Sequence, residues 1–212
     1  MPNLPITQLP SASVLTPTDA IPVVQSGITK QSPYSNILYA PTNNYGLFNQ
    51  TGSSTPVTNT TTETSIISGG AGTLSVPING FSKGDAYRLS MTGHISSKNN
   101  STLQIRVKTG AIILADTGIL TMPQTQDKDY SLDLNFSIYN TGSAGVASIA
   151  SGGKFLFTKD ASNSFEGINF SVVNSSSFDT TISNTLSVTA QWGAADPLNS
   201  IFSEITTLNK IY

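Results

Sequence analysis

The side chains that could do chemistry are few and poorly grouped. His94 is the single histidine and there is no cysteine. Two-histidine metal motifs, thiolate metal sites, disulfides and thiol nucleophiles are therefore excluded. His94 falls on the polar side of an alternating run, where a surface or interface histidine is expected rather than a general base. The densest carboxylates are Asp127, Asp129 and Asp133. A calcium loop needs oxygen ligands at its first, third and fifth positions, a glycine at the sixth and a glutamate at the twelfth. Ser131, Leu132 and Ile138 stand at the fifth, sixth and twelfth, so the segment reads as a solvated turn entering a strand. Asp160 and Glu166 supply the two carboxylates a glycosidase would need, and nothing around them marks them out. No Gly-x-Ser-x-Gly elbow or phosphate-cradling Gly-x4-Gly-Lys-Ser/Thr loop occurs. The expectation is a protein that is not an enzyme, with no catalytic residue, no metal and no cofactor.

Binding chemistry has slightly more to work with. Sugar faces stack on exposed aromatic rings flanked by hydrogen-bonding groups. Tyr139, Phe165 and Phe178 fall in loops or at strand ends and are the candidates for contact with a glycan or receptor. Trp192, the sole tryptophan, ends an apolar alternation and is expected in the core.

The elements that must position these residues are strands. In Ala86 to Thr109, Tyr87, Leu89, Met91, Gly93 and Ile95 alternate with polar residues, then Leu103, Ile105 and Val107 do the same after a polar Ser-Ser-Lys-Asn-Asn-Ser turn. A two-residue period buries one face of a strand and wets the other, and the stretch is expected to be a half-buried antiparallel hairpin. Leu132, Leu134, Phe136 and Ile138 give the cleanest strand, over Tyr130 to Tyr139. Val146 to Ala150 and Lys154 to Thr158, separated by Gly152-Gly153, suggest another hairpin. Further strands are expected near 64–68, 74–76, 111–115, 119–122, 167–173 and 180–192. Many short strands without an intervening helix point to an all-β, antiparallel sandwich, and the long crossings favour a jelly-roll-like one.

Composition supports this class. Charged residues are 10% of the 212-residue chain, against roughly 25% in ordinary soluble proteins; Ser, Thr, Asn and Gly replace them. A net charge of −2 gives no footprint for nucleic acid, and no basic amphipathic stretch suits a membrane surface.

The first 62 residues differ from the rest. Asp19 and Lys30 are their only charges, and they hold eight of the eleven prolines, which forbids a long helix or a central strand. Ile21 to Gln25 and Ile28 to Gln31 read as a small hairpin turning at Gly27, and Pro33 suits the first position of a short helix. Leu4, Ile6, Leu9, Val14, Leu15, Ile21, Val23 and Val24 are too interrupted to close a core. Either an extended arm orders on a partner or a leader folds back on the main domain. Residues 1–38 are read as this arm, 39–62 as an Asn/Thr/Ser/Gly-rich linker, 63–195 as the sandwich and 196–212 as a separate C-terminal segment.

Leu9 to Lys30, LPSASVLTPTDAIPVVQSGITK, resembles the LPxAxxLTxxDxxPVVQxGxTK leader of bacteriophage fibre and appendage proteins. Asp19, Pro22 to Gln25 and Gly27 to Lys30 carry the resemblance. It implies that the arm docks on another virion protein, of the capsid, portal vertex or tail. The contacts would come from Leu9, Leu15, Asp19, Ile21, Pro22, Val23, Val24, Gln25, Gly27, Thr29 and Lys30. The body in turn resembles the jelly-roll domains of phage fibres, which implies a homo-oligomer, a trimer above other states. MPNLPITQLP lacks the basic and apolar regions of a signal peptide, so synthesis in the host cytoplasm and display on the virion surface are expected. In the tail, Leu198, Ile201, Ile205, Leu208 and Tyr212 recur at gaps of three and four. That is one seam of a short helix after Asp196-Pro197, and Leu198, Ile201, Ile205 and Leu208 are the expected oligomer contacts. Two functions follow: a structural virion component such as a head fibre or capsid decoration, or a tail-associated adhesin for a host glycan or receptor.

Overall fold

The computed structural model describes residues 20–33, 47–160 and 164–212. The chain divides into two compact units, residues 1–42 and 43–212.

In the first unit, β1 (Ala20–Gln25) pairs antiparallel with β2 (Ile28–Pro33). Ser26 and Gly27 join them with φ of 54° and 75°. Two successive positive φ values are those of a type I′ turn, whose twist matches that of the flanking strands. The expected hairpin is therefore present. Pro33 ends β2 rather than opening a helix; the rest of that expected helix, with Leu9, Leu15 and Asp19, lies outside the described residues.

The second unit is all-β and sandwich-like, and no helix occurs among its described residues. Its short leading strands are β3 (Phe48–Gln50), β4 (Val57–Thr58), β5 (Thr64–Ser65), β6 (Gly70–Gly72) and β7 (Ser75–Val76). The long ones are β8 (Ala86–Ser97), β9 (Ser101–Thr109), β12 (Thr125–Asn140), β13 (Ser148–Thr158), β14 (Phe165–Asn174), β15 (Asn184–Trp192) and β16 (Ser200–Lys210), with β10 (Ile112–Asp116) and β11 (Leu120–Met122) between. One sheet runs β14-β13-β12-β8-β16-β3-β6, with β4 also on β16; the other runs β10-β9-β15-β5, with β11 on β9 and β7 on β15. Every pairing is antiparallel.

The core lies between the sheets. Tyr87, Leu89, Met91 and Ile95 of β8 meet Leu103, Ile105 and Val107 of β9, with Leu132, Leu134, Phe136 and Trp192 around them, all buried. Trp192 is fully enclosed and its indole N–H donates to the Val57 carbonyl at 3.0 Å, satisfying the one polar group it carries into the interior.

Four expectations need correction. β8 and β9 alternate as read, but they do not pair with each other: they sit in different sheets and face one another across the core. The polar stretch between them is an arch, with Asn100 left-handed at φ 62°, and alternation is the same for an arch as for a hairpin. Gly152-Gly153 is no turn but the middle of β13, where a Cβ on Gly153 would strike the Asp133 carbonyl of the neighbouring strand. The linker read over 39–62 contains β3 and β4, which pair with β16, and Phe48 is in the core.

The C-terminal segment is neither separate nor helical, because β16 lies between β8 and β3 inside the larger sheet. Its register slips between Ser203 and Ile205. Ile201 and Leu208 face the core, while Leu198 and Ile205 are exposed. The spacing of three and four came from adding an outward Ile205 to inward neighbours on either side of a bulge. The inward positions between are hydroxyls: Ser203 and Thr206 are fully buried. Ser203 Oγ donates to the Ile66 carbonyl at 2.6 Å and its backbone N–H donates to Ser54 Oγ at 2.9 Å.

Candidate functional site

The outward residues of β8, β12 and β16 converge on His94. Cross-strand register sets Phe202 and Asp129 directly opposite it on the two neighbouring strands. The Phe202 ring stacks on the imidazole, centroids 5.4 Å apart and planes at 16°. Each neighbouring strand also bulges here. β12 shifts register between Thr125 and Lys128, with Asp127 left-handed at φ 47°. This brings Asp127 Oδ1 to 3.1 Å from His94 Nδ1, with Asp129 Oδ1 at 3.9 Å. The bulge in β16 sets Glu204 Oε1 3.6 Å from Nε2. Bulges re-aim side chains that a regular ladder would send elsewhere, and here two of them turn carboxylates towards opposite sides of one ring. Among the described residues, Nδ1 has no hydrogen-bond partner of good geometry, although Asp127 Oδ1 approaches it closely.

Gly93 makes the β16 bulge possible. A Cβ there would run into the Phe202 carbonyl oxygen. Beneath the same place, on the inward face, the Tyr130 hydroxyl is buried with no hydrogen-bond partner among the described residues, and burial pushes its pKa up, so it stays protonated.

Beside His94 the sheet surface dips into a groove of about 420 Å³. Thr92, His94 and Glu204 form one side, Asp129 and Leu156 lie across the middle, and Phe165 stands at the far end. Phe165, the first residue of the edge strand β14, lies opposite Thr158 and is 77% exposed. Two lysines nearby are occupied: Lys128 Nζ is 3.6 Å from Asp160, and Lys159 pairs with Glu166. Among the described residues, the charged partner of Asp127, Asp129 and Glu204 is His94.

Of the residues expected to meet a glycan, Phe165 lines this groove. Tyr139 is exposed at the far end of β12 and lies outside it. Phe178 is a correction: it is 1% exposed, edge-on to Phe81 at 5.7 Å, and has no face to offer. The expected oligomer seam is also dispersed, since Ile201 and Leu208 are core residues of their own domain. Ile21 to Lys30 form the hairpin, where Val24 and Ile28 are 74% and 62% exposed. Asp160 and Glu166 each pair with a lysine, Lys128 and Lys159. Asp133 lies on Arg88 and Ser90. No local pattern in the sequence marks Glu204 and Asp127 as partners of His94, because only register and bulges bring them there.

A second polar cluster lies on the other sheet. Glu63 accepts from Arg106 at 3.0 Å, Lys108 at 2.6 Å and Thr189 at 2.5 Å. Arg106 also reaches Gln191 and Asp116. Burial alone would raise the Glu63 carboxyl, but the hydrogen bonds from Lys108 and Thr189 and the charges of Lys108 and Arg106 outweigh it and hold it below the usual carboxylate range. This cluster is closed on itself and ties the segment before β5 across β15 to β9.

Among the described residues, no three His, Cys, Asp or Glu side chains are grouped to hold a metal ion, and no helix is long and apolar enough to cross a membrane. No family model, curated protein or solved structure matches the chain.

Proposed function

We propose that this protein is a non-enzymatic structural component of a bacteriophage virion, a head fibre, capsid decoration or similar appendage. Its N-terminal unit docks on another virion protein and its β-sandwich projects outward. The observation that carries this reading is the hairpin of the first unit. It holds Pro22 to Gln25 and Gly27 to Lys30, the residues of the fibre-leader resemblance, and presents Val24 and Ile28 to solvent. Apolar groups on a two-stranded hairpin gain burial from a partner rather than from a core of their own. The sandwich forms a compact unit without residues 1–42.

The finer reading of the head as jelly-roll-like is supported by the chain's crossings from sheet to sheet at β8–β9, β11–β12, β14–β15 and β15–β16. Trimerisation rests on the resemblance to phage fibres, since the C-terminal residues expected to carry it lie in or on β16. Synthesis in the host cytoplasm and display on the virion surface belong to the same reading.

The test is deletion of residues 1–42 in the phage that encodes the protein. The shortened chain is expected to fold and to be missing from purified particles; its incorporation at wild-type level would overturn the docking role. Light scattering of the full-length chain should give three times 22.3 kDa for the trimer.

A second reading, an adhesin that holds a host glycan, is favoured by one observation: the groove that joins exposed Phe165 to the carboxylates around His94.

A further inference from the structure

We propose that the groove over His94 is a subsite for a saccharide bearing a protonated amine, a hexosamine with its nitrogen free. The proposal rests on the adhesin reading and names its ligand class.

The argument begins with charge. Asp127, Asp129 and Glu204 gather within 3.1–3.9 Å of one imidazole, and even a charged His94 would leave two negative charges over. The neighbouring Lys128 and Lys159 are paired with Asp160 and Glu166 instead. A concave surface with uncompensated carboxylates attracts a cation and repels uronic or sialic acids. Asp129 and Glu204 are well exposed, with side-chain exposures of 87% and 50%, so their free oxygens can accept charge-assisted hydrogen bonds from an ammonium group.

Shape supplies the rest. The groove's volume of about 420 Å³ is within the range of small-molecule sites. Its far end is the Phe165 ring and its middle is apolar at Leu156, a surface on which the C–H face of a pyranose packs. Thr92, Ser131 and Thr158 add hydroxyl groups between the apolar and acidic ends. An aliphatic amine would use the carboxylates and leave the ring unused; a neutral sugar would use the ring and leave the charge unanswered. From β16 to β14 the strip spans five strands, about 19 Å, which suits an oligosaccharide.

The experiment is calorimetric titration of the full-length chain, at mildly acidic pH, with glucosamine tetrasaccharide, its fully N-acetylated counterpart and spermidine. Saturable binding of the first is expected, with the N-acetylated form at least about tenfold weaker, as for loss of one hydrogen bond to a charged group. Phe165→Ala and Glu204→Gln should each weaken binding about tenfold, while Tyr139→Ala should leave it unchanged. All three positions are exposed, and circular dichroism checks that the variants fold. Equal affinity for both tetrasaccharides would overturn the amine selectivity and leave the adhesin reading standing. Equal binding of spermidine would overturn the saccharide class. Unchanged affinity in both groove variants would place the site elsewhere and overturn the assignment. Binding of neither sugar would overturn the inference and the adhesin reading together, leaving the structural reading untouched.

Discussion

The outer faces of the two sheets place similar residues on similar strands and treat their charges in opposite ways. On the smaller sheet, Glu63, Arg106, Lys108 and Asp116 balance two negative charges with two positive ones, and their donors and acceptors are spent on one another. On the larger sheet, three carboxylates surround a single histidine, and Lys128 and Lys159 pair with Asp160 and Glu166 instead. The first arrangement is what folding alone would select: partly buried charges paired and hydrogen-bonded, holding a short strand segment in place. The second adds little to folding. It needs two bulges, a left-handed aspartate and a glycine under the crossing strand, features that concentrate where a surface is shaped for contact.

The comparison predicts where substitutions hurt. The largest effect is expected from Gly93→Ala. Its methyl group would meet the Phe202 carbonyl, which belongs to backbone and cannot swing aside. A loss of about 3 kcal/mol in urea unfolding is expected, at the upper end for overpacking. A loss under about 0.5 kcal/mol, the range of ordinary surface changes, would show that β16 relaxes freely and that its bulge is not fixed from below.

Glu63→Gln comes next. It leaves Arg106 and Lys108, with side chains 18% and 22% exposed, without their shared counter-charge. Breaking a partly buried, hydrogen-bonded pair in this way should cost about 2 kcal/mol. The acid dependence sharpens the point. Because the folded-state pKa of Glu63 is lowered, its contribution is complete above the unfolded value of about 4.3 and is lost as the pH falls through the folded one. The gap in stability between wild type and Glu63→Gln should therefore close below about pH 4.3, in urea titrations run at stepped pH. A constant gap down to the acid transition would mean that Glu63 acts through packing rather than charge.

The two faces also differ in how legible they were. Inward positions of β8, β9 and β12 follow from alternation alone, because a half-buried strand admits no other pattern over that length. Which strands pair is another matter: Leu89 and Leu103 lie inward whether the turn between them makes a hairpin or an arch. β16 shows a helix-like spacing in the sequence because Ser203 and Thr206 put hydroxyls where the core is, and the bulge reverses the parity of Ile205. Strands of two or three residues such as β3 and β4 carry too few positions to show a period. His94 and Phe165 stood out by residue type, but their relation to Glu204 and Asp127 depends on cross-strand register over separations of tens of residues, and no local pattern encodes that.

The smallest effect is expected from Glu204→Gln, and it tests the comparison most directly. Glu204 stands beside His94 as Glu63 stands beside Lys108 and Arg106, yet it is half exposed, lies 3.6 Å from Nε2 without a hydrogen bond to it, and shares the ring with two other carboxylates. Removing one of three like charges relieves repulsion between carboxylates, which offsets the loss of an exposed contact with the ring. Stability should stay within about 0.5 kcal/mol of wild type, as at surface sites without a buried partner, measured in the same urea titrations as Glu63→Gln. A loss as large as that of Glu63→Gln would make the His94 cluster a second structural clamp, holding β16 to β8, and would remove the reason for treating this face as built for anything beyond the fold. A small loss keeps the asymmetry: one sheet spends its charges on itself, and the other leaves them free for a ligand.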